Sequence, residues 1–424
     1  MILWGFKAIV FIAICLGGFA LVGASSGSLV SLYLIALPFI FVLSLLMYGF
    51  GGLQIILKSK LFLLSAPYLL GALLLAPLGV LFGFGPVHLL AASYFSAVAP
   101  FSLIFLGFIC WGRLENGMGL RAVVAASIFL NFMMALVQML SVYYGVEAPF
   151  TGDLLNYQYD IKNQLSFNYD IRGRATGIFI NPNDFGFWAV MMVGYVWIHF
   201  KTPMFKNLSF IMLLFCLLAS NSRGALLAFI ISTLIVYFSY IKAISFRKGI
   251  TWIWLFLIIL LFIFGVEVLN QFSGLSDQSY AFLSRFSVIW GVVTGAVVDE
   301  NLTGRYSAWS AAIHVMSEYP LGTFVPPETL LNVAADNQYV YVFLQGSVLF
   351  LIAYLWLLLR GALLFLKNDF GYLYWCTWVI FFYGFTAYPL NGYSMLMYWV
   401  FLGGAIRVSH SERFSHVGVG IRNA

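Results

Sequence analysis

The sequence predicts an all-α polytopic membrane protein with about twelve transmembrane helices and two long outward loops, the larger one partly helical. Three observations predict it. The chain is 62% hydrophobic and only 8% charged, with a mean hydropathy of +0.97, whereas soluble domains are nearer half apolar and a quarter charged. Apolar runs of roughly 17–25 residues, the length needed to cross a bilayer as a helix, recur along the chain. The lysines and arginines gather between alternate runs, as the positive-inside rule requires.

Twelve such runs can be read, at about 8–24, 29–50, 61–83, 87–110, 121–146, 183–200, 207–220, 223–241, 250–270, 339–359, 371–388 and 392–407. Only Asn221 and Ser222 separate the seventh from the eighth. The first run carries one Lys and ends in Gly23-Ala24-Ser25, faintly like a secretory leader. It reads here as a retained helix, so that residues 1–424 form a single integral membrane domain. Two connections exceed hairpin length, 147–182 and 271–338, and loops this long are commonly functional. Within the second, Tyr280–Val298 suits an amphipathic helix lying along the membrane. Another helix is expected from Thr303, as its cap, to Pro320.

An even number of spans puts both termini on one face. With that face cytoplasmic, fifteen of the 21 basic residues fall on it. The six exceptions are Lys162, Arg172, Arg174, Arg223, Arg285 and Arg305. Five of these are arginine, whose planar fork matches phosphate. The pI near 9 is therefore a topology signal and does not imply a nucleic-acid partner. Cys15, Cys110, Cys216 and Cys376 each sit alone in apolar stretches, a spacing that fits no metal site. No cofactor-binding glycine loop is present.

Four groups carry candidate chemistry. In Arg172-Gly-Arg174-Ala-Thr-Gly-Ile-Phe-Ile-Asn181-Pro182-Asn183-Asp184, Asn181 or Asn183 can cap the sixth span and Pro182 suits a first turn. An outward helix start beside two arginines favours an anion. The bland alternative is a capped helix whose arginines reach the interface or pair with Asp170 or Asp184. In Ser220-Asn221-Ser222-Arg223-Gly224 the eighth span starts at once, with Arg223 in its first turn, where a cation opposes the helix dipole. In Thr303-Gly-Arg305-Tyr-Ser-Ala-Trp309, Arg305 and Trp309 share a helix face and can form a cation–π pair, a ligand ridge or a simple membrane contact. In Asp336-Asn337-Gln338-Tyr339, either Asp336 or Asn337 can cap the tenth span, and the carboxylate can instead act as a base.

In this order and on these spans, RATGIFINPND, SNSRGALLA, GRYSAW and DNQYVYVFLQG resemble the O-antigen polymerase and O-antigen ligase superfamily, chiefly over residues 120–360. The resemblance implies a metal-independent inverting glycosyltransferase without cofactor, multi-pass in the bacterial inner membrane with both termini cytoplasmic. Its donors would be undecaprenyl-diphosphate-linked glycans at the periplasmic face, and the two long loops would be periplasmic. Arg174, Arg223 and Arg305 match the family's outward arginines. Ligases resemble one another in a histidine near the start of the helix after the large loop. This chain has Asp336-Asn337 there and no histidine between His314 and His410, which favours the polymerase branch (Wzy-type).

On that reading Arg223 and Arg305 neutralise the departing diphosphate and Asp336 takes the acceptor proton, with Glu328, Glu318 and His314 as further candidates for the base. Arg174, Arg172, Asn183, Arg285, Trp309 and His314 are expected to bind substrate. The partners are a lipid-linked donor, a lipid-linked acceptor, membrane lipids and a chain-length regulator. Transfer of glycan to a lipid A core is the nearest alternative. A lipid-linked oligosaccharide flippase is another, weakened because the spans hold little that ionises beyond Glu267, with Asn131 and Gln138 the notable polar residues.

Overall fold

The structure, a computed structural model, describes residues 20–22, 29–83, 87, 90, 97–115, 118–144, 174–179, 181–240, 300–324, 337–387 and 395–421. The spans expected at 8–24 (beyond residues 20–22) and 250–270, the helix expected at Tyr280–Val298, and Arg172, Arg285 and Asp336 lie outside the described residues. The helices are α1 (Leu32–Leu57), α2 (Lys60–Leu81), α3 (Ala99–Glu115), α4 (Met118–Tyr144), α5 (Pro182–His199), α6 (Pro203–Ser220), α7 (Arg223–Tyr240), α8 (Glu300–Glu318), α9 (Gln338–Lys367), α10 (Gly371–Tyr383) and α11 (Met395–Ile421).

One short extended element precedes the helices. A short antiparallel hairpin pairs β1 (Ala20–Val22) with β2 (Leu29–Ser31), Ala20 opposite Ser31. The Gly-Ala-Ser-Ser-Gly-Ser sequence between them is poor helix material. The second run consequently becomes helical at Leu32, three residues later than hydropathy alone suggests.

Among the described residues, Lys60–Leu81, Leu120–Leu140, Pro203–Ser220 and Gln338–Lys367 are long and apolar enough to cross a membrane, and Ala99–Trp111 and Arg223–Ser239 are shorter apolar helices. Their burial is arranged for lipid. Leu63, Leu70 and Leu74 of α2 and Leu349 and Leu363 of α9 are exposed, while the polar Ser65, Asn131 and Gln138 are buried. Hydrocarbon is a tolerable neighbour for leucine and a costly one for an amide. The chain is a membrane protein.

Helices packed at the centre position the site. Helix α5 is buried from Phe185 to Val196 and lies against α6, α7 and α10, while α9 packs on α2 and α10, and α11 runs along α3. Residues 200–202 join α5 to α6 as an antiparallel pair. At that end Lys206 Nζ donates to Trp197 O (2.6 Å) and sits 3.9 Å above the Trp197 ring. The opposite ends, Asn181 and Ser220, therefore meet.

Helix α8 begins at Glu300, so Thr303 is inside it and not its cap. An acidic residue in the first turn complements the helix dipole. Helix α9 is broken. Gly346 (φ −137°, ψ 25°) and Ser347 (φ 59°, ψ −166°) leave helical geometry, and the freed carbonyls of Leu344 and Gln345 accept from Thr323 N (2.7 Å) and Phe324 N (2.9 Å). Backbone polar groups opened within a span require such partners.

Candidate active site

Helix termini gather where α5 and α6 meet. Asn181 caps α5, its Oδ1 accepting from Asn183 N at 2.8 Å with Pro182 in the first turn. Asn221 adopts the left-handed conformation (φ 48°, ψ 37°), which asparagine tolerates better than most residues. This turns α6 directly into α7. Ser222 then caps α7, its Oγ accepting from Ala225 N at 3.4 Å, and Arg223 is the first residue of the helix.

Arg174 has a place the sequence did not suggest. Its Nε donates to Ser220 O (2.9 Å) and its Nη2 to Asn183 Oδ1 (2.7 Å), while Ala175 N donates to Ala219 O (2.8 Å). The carbonyls at the end of α6 lack helical partners, and a cation there meets the negative end of the dipole. One guanidinium thus closes α6 and ties it to the first turn of α5. Asn183, expected to touch substrate, uses its side-chain oxygen to hold this arginine. Its backbone carbonyl accepts from Tyr383 OH at 2.8 Å.

The segment after Arg174 is clamped from α4. Gln138 Oε1 accepts from Thr176 N and Gly177 N, both at 2.9 Å. Gln138 Nε2 donates to Gly177 O (2.9 Å) and Thr176 Oγ1 (3.1 Å). Asn131 Oδ1 accepts from Ile178 N at 3.2 Å. The isolated amides inside an apolar span were the available signal for this clamp.

A turn after α10, residues 383–386, joins the remaining pieces. Gly384 O accepts from Gln338 N (2.7 Å), and Phe385 O accepts from Asn337 Nδ2 (3.4 Å). Asn337 is the cap of α9, its Oδ1 accepting from Tyr339 N (2.9 Å) and Val340 N (3.2 Å). Thr386 lies so close to Gly224 that a β-carbon there would overlap its hydroxyl. Gly186 is equally constrained, since a β-carbon would come within 2.7 Å of Ser220 Oγ and 2.9 Å of Ser222 Cβ. Sequence reasoning gave this turn no role; it had ended a span there.

The starts of α5, α7 and α9 are therefore held together, with Arg174 and Arg223 among them. Helix N-termini favour anions, and three of them meet at this end, with Arg174 and Arg223 on the adjoining segments. Asp184, half-buried in the first turn of α5, brings a carboxylate to the same end. The structure treats the other candidates differently. Arg305 lies on α8, whose backbone is described, and Trp309 one turn later is half-buried. His314 is 79% exposed and 3.8 Å from Glu318 on its own helix; no hydrogen bond ties it to the cluster among the described residues.

Residues 208–346 match the family model described as O-antigen ligase. Over that third of the chain the sequence is similar to the O-antigen polymerase and ligase superfamily. Members of this superfamily are membrane enzymes of the glycosyltransferase type that act on lipid-linked glycans. No curated protein matches the chain. The matched segment contains most of α6, all of α7 and α8, and α9 as far as Gly346. The superfamily segment thus includes the Ser-Asn-Ser-Arg junction and Asn337. The Arg174 segment and the 383–386 turn, outside it, supply its hydrogen-bonded surroundings.

Proposed function

We propose that this chain is an inverting, metal-independent glycosyltransferase that polymerises undecaprenyl-diphosphate-linked oligosaccharide repeats at the periplasmic face of the bacterial inner membrane. The carrying observation is the joining of three helix N-termini with Arg174 and Arg223 at one end of the helix bundle. Twelve spans, cytoplasmic termini and periplasmic loops at 147–182 and 271–338 belong to this reading, as does a chain-length regulator as partner.

In the reaction, a hydroxyl of a new lipid-linked unit attacks the anomeric carbon of the growing glycan. The bond from that carbon to the diphosphate oxygen breaks, undecaprenyl diphosphate leaves, and the anomeric centre inverts. Diphosphate is a good leaving group that needs charge neutralisation, which arginines and helix termini provide. Arg223, with Arg305 from α8, faces the diphosphate. Arg174 fixes the α5–α6 junction and adds its charge. Arg172, Arg285 and Trp309 are assigned to the lipid and glycan flanks. Asp336, adjoining the cap Asn337, takes the acceptor proton, a role typically contributing about 10²–10⁴-fold.

Ligation to a lipid A core is the second reading, favoured by the description of the matched family. Asp336-Asn337, where ligases resemble one another in a histidine, supports polymerisation. Deleting the gene and resolving surface glycan on a gel tests the choice. Loss of a polymerase leaves core capped by one repeat. Loss of a ligase leaves bare core with long lipid-linked chains, and a flippase defect strands the lipid-linked unit on the cytoplasmic side of the membrane. Complementation with Arg223→Lys should fail to restore long chains; normal chain length would remove Arg223 from the phosphate contact.

A further inference from the structure

Gln338 opens α9 and is 1% exposed, yet both Nε2 and Oε1 of its carboxamide are buried and meet no hydrogen-bond partner among the described residues. Such a group is costly, because an amide removed from water without replacement partners loses its hydration outright. Most buried polar atoms in folded proteins are paired, so an exception calls for a cause. The cap next to it needs no help from it: Asn337 already satisfies Tyr339 N and Val340 N. Gln338's own N–H is taken by Gly384 O. The side chain therefore contributes nothing evident to holding the helix.

Its position is more informative. The Gly384–Thr386 turn touches Gln338 at one end and Gly224, the neighbour of Arg223, at the other. Two residues of chain span no more than about 7 Å, so the starts of α9 and α7 lie against one short turn. A second orphan lies against the same turn. The Tyr354 hydroxyl is fully buried and without a partner among the described residues, and a β-carbon at Gly384 would come within 3.3 Å of it. Tyr339 and Phe385 pack across this spot with ring centroids 4.5 Å apart. Aromatic faces around one amide donor, one amide acceptor and one hydroxyl are the groups that hold a sugar ring.

We propose that Gln338 is a glycan-reading residue, its Nε2 donating to one sugar hydroxyl and its Oε1 accepting from an adjacent one. This rests on the glycan-transfer reading above. The carboxamide is the side chain whose donor and acceptor lie side by side in one plane, which matches a vicinal diol. A site built this way rejects a sugar lacking either hydroxyl more strongly than a shape-only pocket does, since the deoxy sugar leaves the amide unpaired. Because Gln338 is covered in the glycan-free protein, binding requires local opening around the start of α9.

The test uses full-length protein in detergent with lipid-linked repeat extracted from the host membrane as donor and acceptor. Gln338→Met keeps the length and shape of the side chain and removes its polarity. The expected result is an unchanged or raised thermal midpoint together with a fall of about tenfold or more in kcat/KM. Gln338→Glu, which keeps the acceptor and loses the donor, should also fall. A Gln338→Met enzyme within about twofold of native overturns the proposal. So does a midpoint lowered by several degrees, because the amide would then be holding the fold. The native protein, run in parallel, separates the two levels. If the native protein transfers glycan and Gln338→Met does so equally well, only the role of Gln338 fails; if the native protein itself transfers none, the glycan-transfer reading fails.

Discussion

Replacing Gln138 with Leu tests whether the α4 clamp positions the Arg174 segment. The native carboxamide makes four hydrogen bonds to two consecutive residues, Thr176 and Gly177. Leucine fills nearly the same space but strands two buried N–H donors and one buried carbonyl. At about 1–3 kcal/mol for each buried group left unpaired, the loss is roughly 3–6 kcal/mol after partial relaxation. With an unfolding entropy of about 2.1 cal/mol/K per residue over this chain, that corresponds to a fall of roughly 3–7 °C in thermal midpoint. Thermal unfolding of the purified protein in detergent reads the shift. Because Arg174 leaves this same segment to bond Ser220 O and Asn183 Oδ1, surface glycan should shorten in a complemented deletion strain. Gln138→Glu keeps the oxygen that accepts from both amides, and should lose roughly half as much. A Gln138→Leu protein with native midpoint and native chain length would refute the clamp.

Two further outcomes follow from the same geometry and a third from the proposed base. Tyr383→Phe removes the hydroxyl donated to Asn183 O and should cost about 0.5–1.5 kcal/mol of stability, read by thermal unfolding, with slower transfer. Gly224→Ala places a methyl against Thr386 and should destabilise by about 1–3 kcal/mol; pairing it with Thr386→Ala should recover part of the loss. Asp336→Asn should lower turnover by about 10²–10⁴-fold with little change in midpoint, and unchanged turnover would leave the reaction without its assigned base.

What the sequence made legible was mostly local. Apolar runs gave the helices, and cap chemistry narrowed two helix starts to Asn181 or Asn183 and to Asp336 or Asn337, of which Asn181 and Asn337 make the capping bonds, because a cap is decided by the two or three residues that follow it. Bonds across long separations were not legible. Nothing near Gln138 announces that its partners lie 38 and 39 residues away. Arg174 was read as facing outward toward substrate, yet two of its nitrogens close α6 and reach α5, a role that depends on how those helices pack. The Gly346–Ser347 break was missed for the same reason. A glycine in an apolar run is compatible with an unbroken span, and only the docking of Thr323 and Phe324 shows where the opened carbonyls go. The hairpin at Ala20–Ser31 was missed because hydropathy does not separate an apolar strand from the end of a span.

The positions of Arg174 and Arg223 divide the work between them. Arg174 sits where a cation is favoured, against the C-terminal carbonyls of α6, so its placement stabilises the fold whatever else is bound. Arg223 begins α7, where the dipole opposes it, three residues after the carbonyl that Arg174 holds. The α6 cap therefore fixes the junction at which Arg223 starts α7. Pre-arranged positive charge of this kind stabilises a leaving diphosphate more than it stabilises the bound ground state, because the charge it meets grows as the bond breaks. Losing Arg174 should consequently disturb stability and transfer together, whereas losing Arg223 should disturb transfer alone. A variant of Arg223 that unfolds the protein, or one of Arg174 that leaves the thermal midpoint untouched, would reverse that division.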